Sequence, residues 1–252
     1  PTTGAFVSDV FTQNDSAYLA RGIAFDSSGN LYAALHNKNI AKRDATTGTW
    51  DYAWGDLTTI AYANGSYAYD LTVNGDYLYA TVQGTGVGTG KGRVIKYDLS
   101  GSTNVAPTVV TSDANSVNVA GLTFAPSPDG MSTVMYTTVA DTSTSDANSF
   151  GYWNAAFDTY TSLKTDLLRP VGIAYSDGYL YVNEGKNSGT AGKLDRYELG
   201  DDNTWERGWK TSGSGSYYAV GWVAIAVPEP STLALLGCGL IGLLAYAWRK
   251  RK

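Results

Sequence analysis

The chain of 252 residues is short of almost everything that names a chemistry. It has one cysteine, Cys238, so no disulfide can form within it and no cysteine-based metal site exists. It has one histidine, His36, which leaves no histidine cluster for a metal. Charged residues make up 16%, against roughly 25% in an average soluble domain. No Ser-His-Asp arrangement, phosphate loop or zinc motif can be read from it. Helical periodicity is missing before residue 231. Basic residues are scarce in the body: residues 1–248 hold 14 of them against 23 acidic ones, a net of −9. That deficit excludes nucleic acid as a partner, because neutralising phosphates needs clustered Lys and Arg.

What fills the gaps is Gly (29), Tyr (19), Ser, Thr and Asn. These suit short strands joined by many turns. At this length the chain can bury a sizeable core without staples. It begins at Pro1 with no Met, so an export signal has been removed or the chain has been trimmed.

The body is a repeat. Residues 22–35 read GIAFDSSGNLYAAL, 70–82 DLTVNGDYLYATV, 121–139 GLTFAPSPDGMSTVMYTTV and 172–184 GIAYSDGYLYVNE. Each is an apolar strand, a turn rich in Asp, Gly, Asn or Ser, and a second strand. The starts lie 48, 51 and 51 residues apart. In the first unit Leu31, Ala33 and Leu35 face one side, Tyr32 and Ala34 the other. A third strand follows, ending in a basic residue, an aromatic or Asp, and an acidic turn: NIAKRDATTG (39–48), GRVIKYDLSG (92–101) and GKLDRYELGD (192–201), with SFGYWNAAFD (149–158) the weaker copy. Fourth strands follow at 49–57, 106–113, 157–167 and 204–212.

Four strands per unit at a period near 50 predict an all-β fold, a small β-propeller of four to five blades, each a four-stranded antiparallel sheet. A β-sandwich is the competing architecture. The hairpin pattern resembles the blades of NHL-type propellers and of gluconolactonase-like and streptogramin-lyase-like propellers, loosely, over most of residues 20–212. Unit two departs at Asp70, where the others carry Gly. Residues 5–12 and 217–227 read as further strands, enough for one incomplete extra blade. The tryptophans at 50, 54, 153, 205, 209 and 222 are expected to pack between blades, and some to stack on sugar rings instead.

The chain closes on VPEPSTLALLGCGLIGLLAYAWRKRK (227–252). Residues 231–248 carry no charge and are the shortest length that crosses a bilayer. Tyr246 and Trp248 stand at the basic end, where amphipathic rings settle in an interface, and Arg249, Lys250, Arg251 and Lys252 are a stop-transfer cluster that stays cytoplasmic. The Pro228-Glu229-Pro230 motif, the apolar run and the basic end resemble the PEP-CTERM sorting signal. That resemblance implies export in a Gram-negative bacterium, recognition by an exosortase-type protease that cuts near Pro-Glu-Pro, and association with exopolysaccharide at the cell surface. The expected organisation is an extracytoplasmic propeller over 1–226, a stiff spacer at 227–230, a transmembrane helix at 231–248 and a cytoplasmic end at 249–252. The protein would then be single-pass in the inner membrane with its propeller in the periplasm, or on the cell surface once the tail is cut.

Chemistry is thinner. His36, Asn37, Glu184 and Lys186 follow second strands and are candidates for a polar site at one channel mouth. Related lactonases and lyases hold a metal there with several carboxylates, Asn or His. Glu184, His36 and Asn37 fall short of such a ligand set, so no metal, no cofactor and no catalytic residue is assigned. Two other stretches read as solvated loops: DTSTSDANS (141–149), without the order of a calcium loop, and GTGVGTGKG (84–92), without the helix that holds phosphate. Three functions follow. The first is a non-enzymatic binding or scaffold module for a protein or polysaccharide. The second is an accessory subunit of a membrane complex, docking through its propeller with the tail uncleaved. The third is a metal-dependent lactonase-like or lyase-like enzyme.

Overall fold

A computed structural model describes residues 20–35, 39–57, 67–83, 92–100, 106–111, 119–140, 148–184, 192–200 and 204–211. Sixteen strands form four antiparallel sheets of four. Blade I is β1 (Ala20–Phe25), β2 (Leu31–Leu35), β3 (Asn39–Arg43) and β4 (Trp50–Asp56). Blade II is β5 (Tyr67–Asn74), β6 (Tyr77–Gln83), β7 (Arg93–Asp98) and β8 (Thr108–Val109). Blade III is β9 (Val119–Pro126), β10 (Thr133–Val139), β11 (Ser149–Trp153) and β12 (Tyr160–Lys164). Blade IV is β13 (Pro170–Ser176), β14 (Tyr179–Glu184), β15 (Lys193–Glu198) and β16 (Trp205–Thr211). The body is therefore a four-blade propeller, as the repeat predicts. The strands expected at 5–12 and 217–227, the helix at 231–248 and the loops at 84–91 and 141–147 lie outside the described residues. The fourth strand of blade II is shorter than 106–113, only Thr108–Val109.

Turn chemistry sets each hairpin. Asp177 and Gly178, with φ of 52° and 85°, are the two-residue loop between Ser176 and Tyr179, a geometry that needs left-handed residues at both places. In blade I the Asp26 carboxylate accepts the backbone N–H groups of Ser28 and Asn30, each at 2.9 Å, and the Tyr32 hydroxyl at 3.0 Å.

The third-strand motif has a packing reason. Lys96 and Arg196 lie 4.4 and 4.6 Å from the ring centroids of Tyr77 and Tyr179 on the neighbouring strand, and Lys42 lies 5.8 Å from Tyr32. In blades I, II and IV the basic residue of the third strand thus covers a hairpin tyrosine, whereas β11 of blade III carries no basic residue.

The faces by which neighbouring blades meet are apolar. Tyr32, Ile40 and Trp54 of blade I pack on Leu78, Ile95 and Tyr97 of blade II. Tyr79 and Val94 of blade II meet Leu122, Met135 and Trp153 of blade III. Tyr136 and Phe150 of blade III meet Ile173, Leu180, Val182 and Tyr197 of blade IV. Three tryptophans do what the sequence assigns to them. Trp54 lies 5.5 Å from Tyr97, Trp205 stacks on Phe150 at 5.4 Å, and Trp153 is buried and donates to Thr137 Oγ1 at 3.0 Å. Trp222 and the Trp209 side chain lie outside the described residues.

The inner strands β1, β5, β9 and β13 pack on one another in that order around the axis. Each carries a register shift at the same place, opposite Ala34, Thr81, Thr138 and Asn183 of the second strands. The recurring glycine lies at this shift because the approach leaves no room: a Cβ on Gly121 would stand 2.8 Å from Ile173 N, and one on Gly22 would stand 2.6 Å from Asp70 Cα.

Candidate functional site

Asp70 holds the place of the recurring glycine in blade II. Its carboxylate accepts the N–H of Leu71 at 2.9 Å and, across the blade boundary, that of Leu122 at 3.0 Å. Burial pushes this carboxyl up to about 7 against the pull of those two N–H groups. Thr81 Oγ1 accepts the Asp70 N–H at 3.0 Å and donates to the Ala120 carbonyl of blade III. Asp70 and Thr81 thus stitch blade II to blade III beside the axis.

A second polar cluster centres on Glu184, one of the four residues expected at the channel mouth. Glu184 is fully buried between blades III and IV, on the same sheet face as Leu180 and Val182. Its carboxylate accepts the Leu168 N–H at 3.1 Å and faces the Arg207 guanidinium at 3.3 Å. Arg207 also donates to the Asp166 carbonyl at 3.4 Å. The segment so held, between β12 and β13, contains two non-glycine residues with positive φ, Asp166 (62°) and Arg169 (48°). Glu184 and Arg207 together therefore clamp this strained crossing. His36, Asn37 and Lys186 lie outside the described residues.

Asp195, also fully buried, sits on that face one residue pair along and accepts the Gly208 N–H. Burial, reinforced by the Glu184 charge, pushes Asp195 up to about 7. Burial alone would raise Glu184 as well. The proton donated by Asp195, the Leu168 N–H and Arg207 outweigh it and hold Glu184 below its ordinary range. At mildly acidic pH the pair carries one proton, on Asp195, hydrogen-bonded to an ionised Glu184. Environments that split two carboxyls in this way also build general acid–base pairs. Here both groups are sealed from solvent, and the observed consequence is structural.

The sequence carries a signal for this pair that motif reading misses. Glu184 stands where the other second strands have Leu35, Val82 and Val139. Asp195 stands where the third strands have Ala41, Ile95 and Gly151. Two acids at positions otherwise apolar or glycine, in one blade, mark a charged contact inside the core.

Among the described residues, no three His, Cys, Asp or Glu side chains converge as a metal site. A cleft of about 330 Å³ opens between blades II and III, lined by Arg93, Val109, Thr111, Phe157 and Asp158. The more prominent surface feature is aromatic. On the outer strand of blade I, Trp50 and Tyr52 lie on one face with ring centroids 6.0 Å apart and planes within 18°. Tyr52 is 37% exposed. The Asn39 amide donates to the Tyr52 carbonyl at 3.3 Å, fixing the backbone beneath it.

Residues 226–252 match the PEP-CTERM protein-sorting motif, one residue longer than the sequence reading places it. The motif implies an exported protein with a C-terminal membrane-anchoring tail and recognition by exosortase-type processing. No curated protein matches the chain. Among solved structures, the PQQ-bound aldose sugar dehydrogenase of Streptomyces coelicolor is 17% identical, with 78% of this chain on 65% of that one and a TM-score of 0.53. The α-L-arabinofuranosidase of Lactobacillus brevis is 8% identical, with 76% of this chain on 73% of that one and a TM-score of 0.53. The exo-β-1,3-galactanase of Phanerochaete chrysosporium, solved with galactose, is 12% identical, with 77% of this chain on 49% of that one and a TM-score of 0.52. The chain spans just under two thirds of the length of the sugar dehydrogenases it matches. At these identities the likeness is one of fold.

Proposed function

We propose that the protein is an exported, surface-sorted propeller that acts as a non-enzymatic binding module, with a cell-surface polysaccharide as its ligand. Residues 1–226 are the extracytoplasmic body. Residues 227–230 are the spacer the protease reads, 231–248 anchor the chain in the bilayer, and 249–252 stay cytoplasmic until the tail is cut. The sorting motif at 226–252 supports the destination. The Trp50–Tyr52 pair, Tyr52 exposed and Trp50 half-buried against Ala33, Leu35 and Ala41, carries the ligand class. Two near-parallel rings on a rigid outer strand offer an apolar platform with polar edges, which matches the C–H face of a sugar ring. The buried carboxyls described above are committed to backbone N–H groups and to Arg207, which supports binding over catalysis.

The test is affinity electrophoresis of the purified protein through gels containing exopolysaccharide from its own producer. The wild type is retarded, and the Trp50→Ala/Tyr52→Ala double variant runs at its free mobility. Equal retardation of both overturns the polysaccharide reading and moves attention to a protein partner or a membrane complex. Turnover of the polysaccharide during the run overturns the non-enzymatic one.

A further inference from the structure

The Trp50–Tyr52 platform belongs to a larger face. Ala24, Tyr32 and Ile40 of blade I turn toward blade II, and Lys42 lies over Tyr32 on that side. The residues between them form the opposite face of the sheet. One cross-strand row on it is Phe25, Leu31, Arg43 and Trp50, and the next begins Ile23, Ala33 and Ala41. Trp50 packs on Ala33 and Ala41, which fixes the side it lies on.

Two observations set this face apart. The first is exposed apolar surface. Ile23 is 54% exposed, whereas its counterparts Leu71, Leu122 and Ile173 are 4%, 2% and 3% exposed, each covered by the preceding blade. Phe25 is 61% exposed. Large apolar side chains gathered at a surface mark a binding face. The second is a cation. Arg43 is half-buried, directly between Leu31 and Trp50 in the first row. Its guanidinium lies against the turn at Gly48, where a Cβ would stand 3.1 Å from Nη2. Among the described residues no carboxylate forms an ion pair with it. The acids nearest in sequence are engaged elsewhere. Asp26 accepts the N–H groups of Ser28 and Asn30. Asp44 accepts those of Thr46 and Thr47. Asp51 pairs across the strands with Lys42, on the side facing blade II, and accepts the Ala53 N–H. A guanidinium held beside an aromatic ring without a carboxylate partner suits a planar anion, which it binds through two parallel N–H donors.

We propose that this face binds an acidic polysaccharide, with Arg43 holding a uronate carboxylate while Trp50, Tyr52 and Phe25 take the C–H faces of the adjoining sugars. The inference rests on the polysaccharide reading above and adds the charge and the length of the ligand. The row from Phe25 to Trp50 crosses three strand spacings, about 14 Å. That is longer than one pyranose ring, so a ligand touching both ends is a chain. Its charge is sparse. The body carries a net of −9 and repels a dense polyanion. A polymer with carboxylates spaced by more than the screening length, about 10 Å at 0.1 M salt, presents one at a time to a single arginine.

The experiment measures equilibrium binding of the purified protein to exopolysaccharide of its producer, native and after reduction of the carboxyl groups to primary alcohols. Net charge alone makes the acidic body prefer the reduced polymer. The Arg43 contact reverses that sign: the wild type should bind the native polymer about tenfold more tightly. This comparison needs no variant. Arg43→Gln should lose the preference or invert it. Phe25→Ala should weaken binding of both polymers at least threefold, and unchanged binding overturns the extended contact. Equal binding of the two polymers by the wild type, or a preference that survives in Arg43→Gln, overturns the uronate assignment and leaves the polysaccharide reading standing. Binding of neither polymer by a folded wild type overturns both.

Discussion

Asp195→Asn is the sharpest probe of the buried carboxyl pair. In the native protein Asp195 holds its proton to about pH 7. In the unfolded chain an Asp releases it near 3.9. Between those values unfolding releases a proton, so the contribution of Asp195 to stability is fully present below pH 4 and lost as pH rises through 7. One proton corresponds to at most about 1.4 kcal/mol per pH unit, and the loss between pH 5 and pH 7 is about 2 kcal/mol. Asparagine keeps the geometry: Oδ1 accepts the Gly208 N–H and Nδ2 donates to Glu184, as the protonated acid does. Its amide does not titrate, so the variant lacks this slope. Asp70, also raised to about 7, supplies a second downward slope that both proteins share. The assay is urea denaturation of both proteins at half-unit steps from pH 5 to 8. The variant should gain about 2 kcal/mol relative to wild type between pH 5 and 7, with no further change above. Parallel curves would refute the shared proton and leave the pair as two ordinary carboxylates.

Other consequences follow from the axis and the seams. Gly121→Ala places a Cβ 2.8 Å from the Ile173 backbone and should lower stability by about 3 kcal/mol, read as a drop in melting temperature, whereas Gly75→Ala, with open space around it, should cost only the strain of its positive φ. Thr81→Val is nearly isosteric but orphans the Asp70 N–H and the Ala120 carbonyl; a loss of about 2 kcal/mol should accompany faster hydrogen exchange at Asp70. Trp54→Ala empties the contact between blades I and II and should cost about 4 kcal/mol in chemical denaturation.

How much of this was legible before the structure depended on which residues repeat. The hairpins were readable because Gly-Ile/Leu and Leu-Tyr recur with turn residues between them, and the strands β1, β2, β5, β6, β9, β10, β13 and β14 fall on those segments. The register shifts were not readable, because a bulge leaves no composition of its own. Thr81, Thr138 and Asn183 look like ordinary strand residues until the pairing shows what they stand opposite. Asp70 was visible as a departure from the pattern, and its reason became clear only when Leu122, 52 residues away, was placed beside it. Glu184 was singled out for its position after a second strand. Its partners Arg207 and Asp195 come from other strands, so proximity along the chain gave no hint of them. The signal was the break in apolar character at 184 and 195, a comparison among blades that motif reading does not make.

The central claim is that a sorting tail delivers a polysaccharide-binding propeller to the cell surface. The most direct measurement is the equilibrium binding of the tail-free body, purified from the surface fraction, to exopolysaccharide of its producer, with Trp50→Ala/Tyr52→Ala alongside. The wild type should bind saturably and the variant at least tenfold more weakly, with both proteins folded. Saturable binding that the variant retains in full, or no binding by a folded wild type, would contradict that claim.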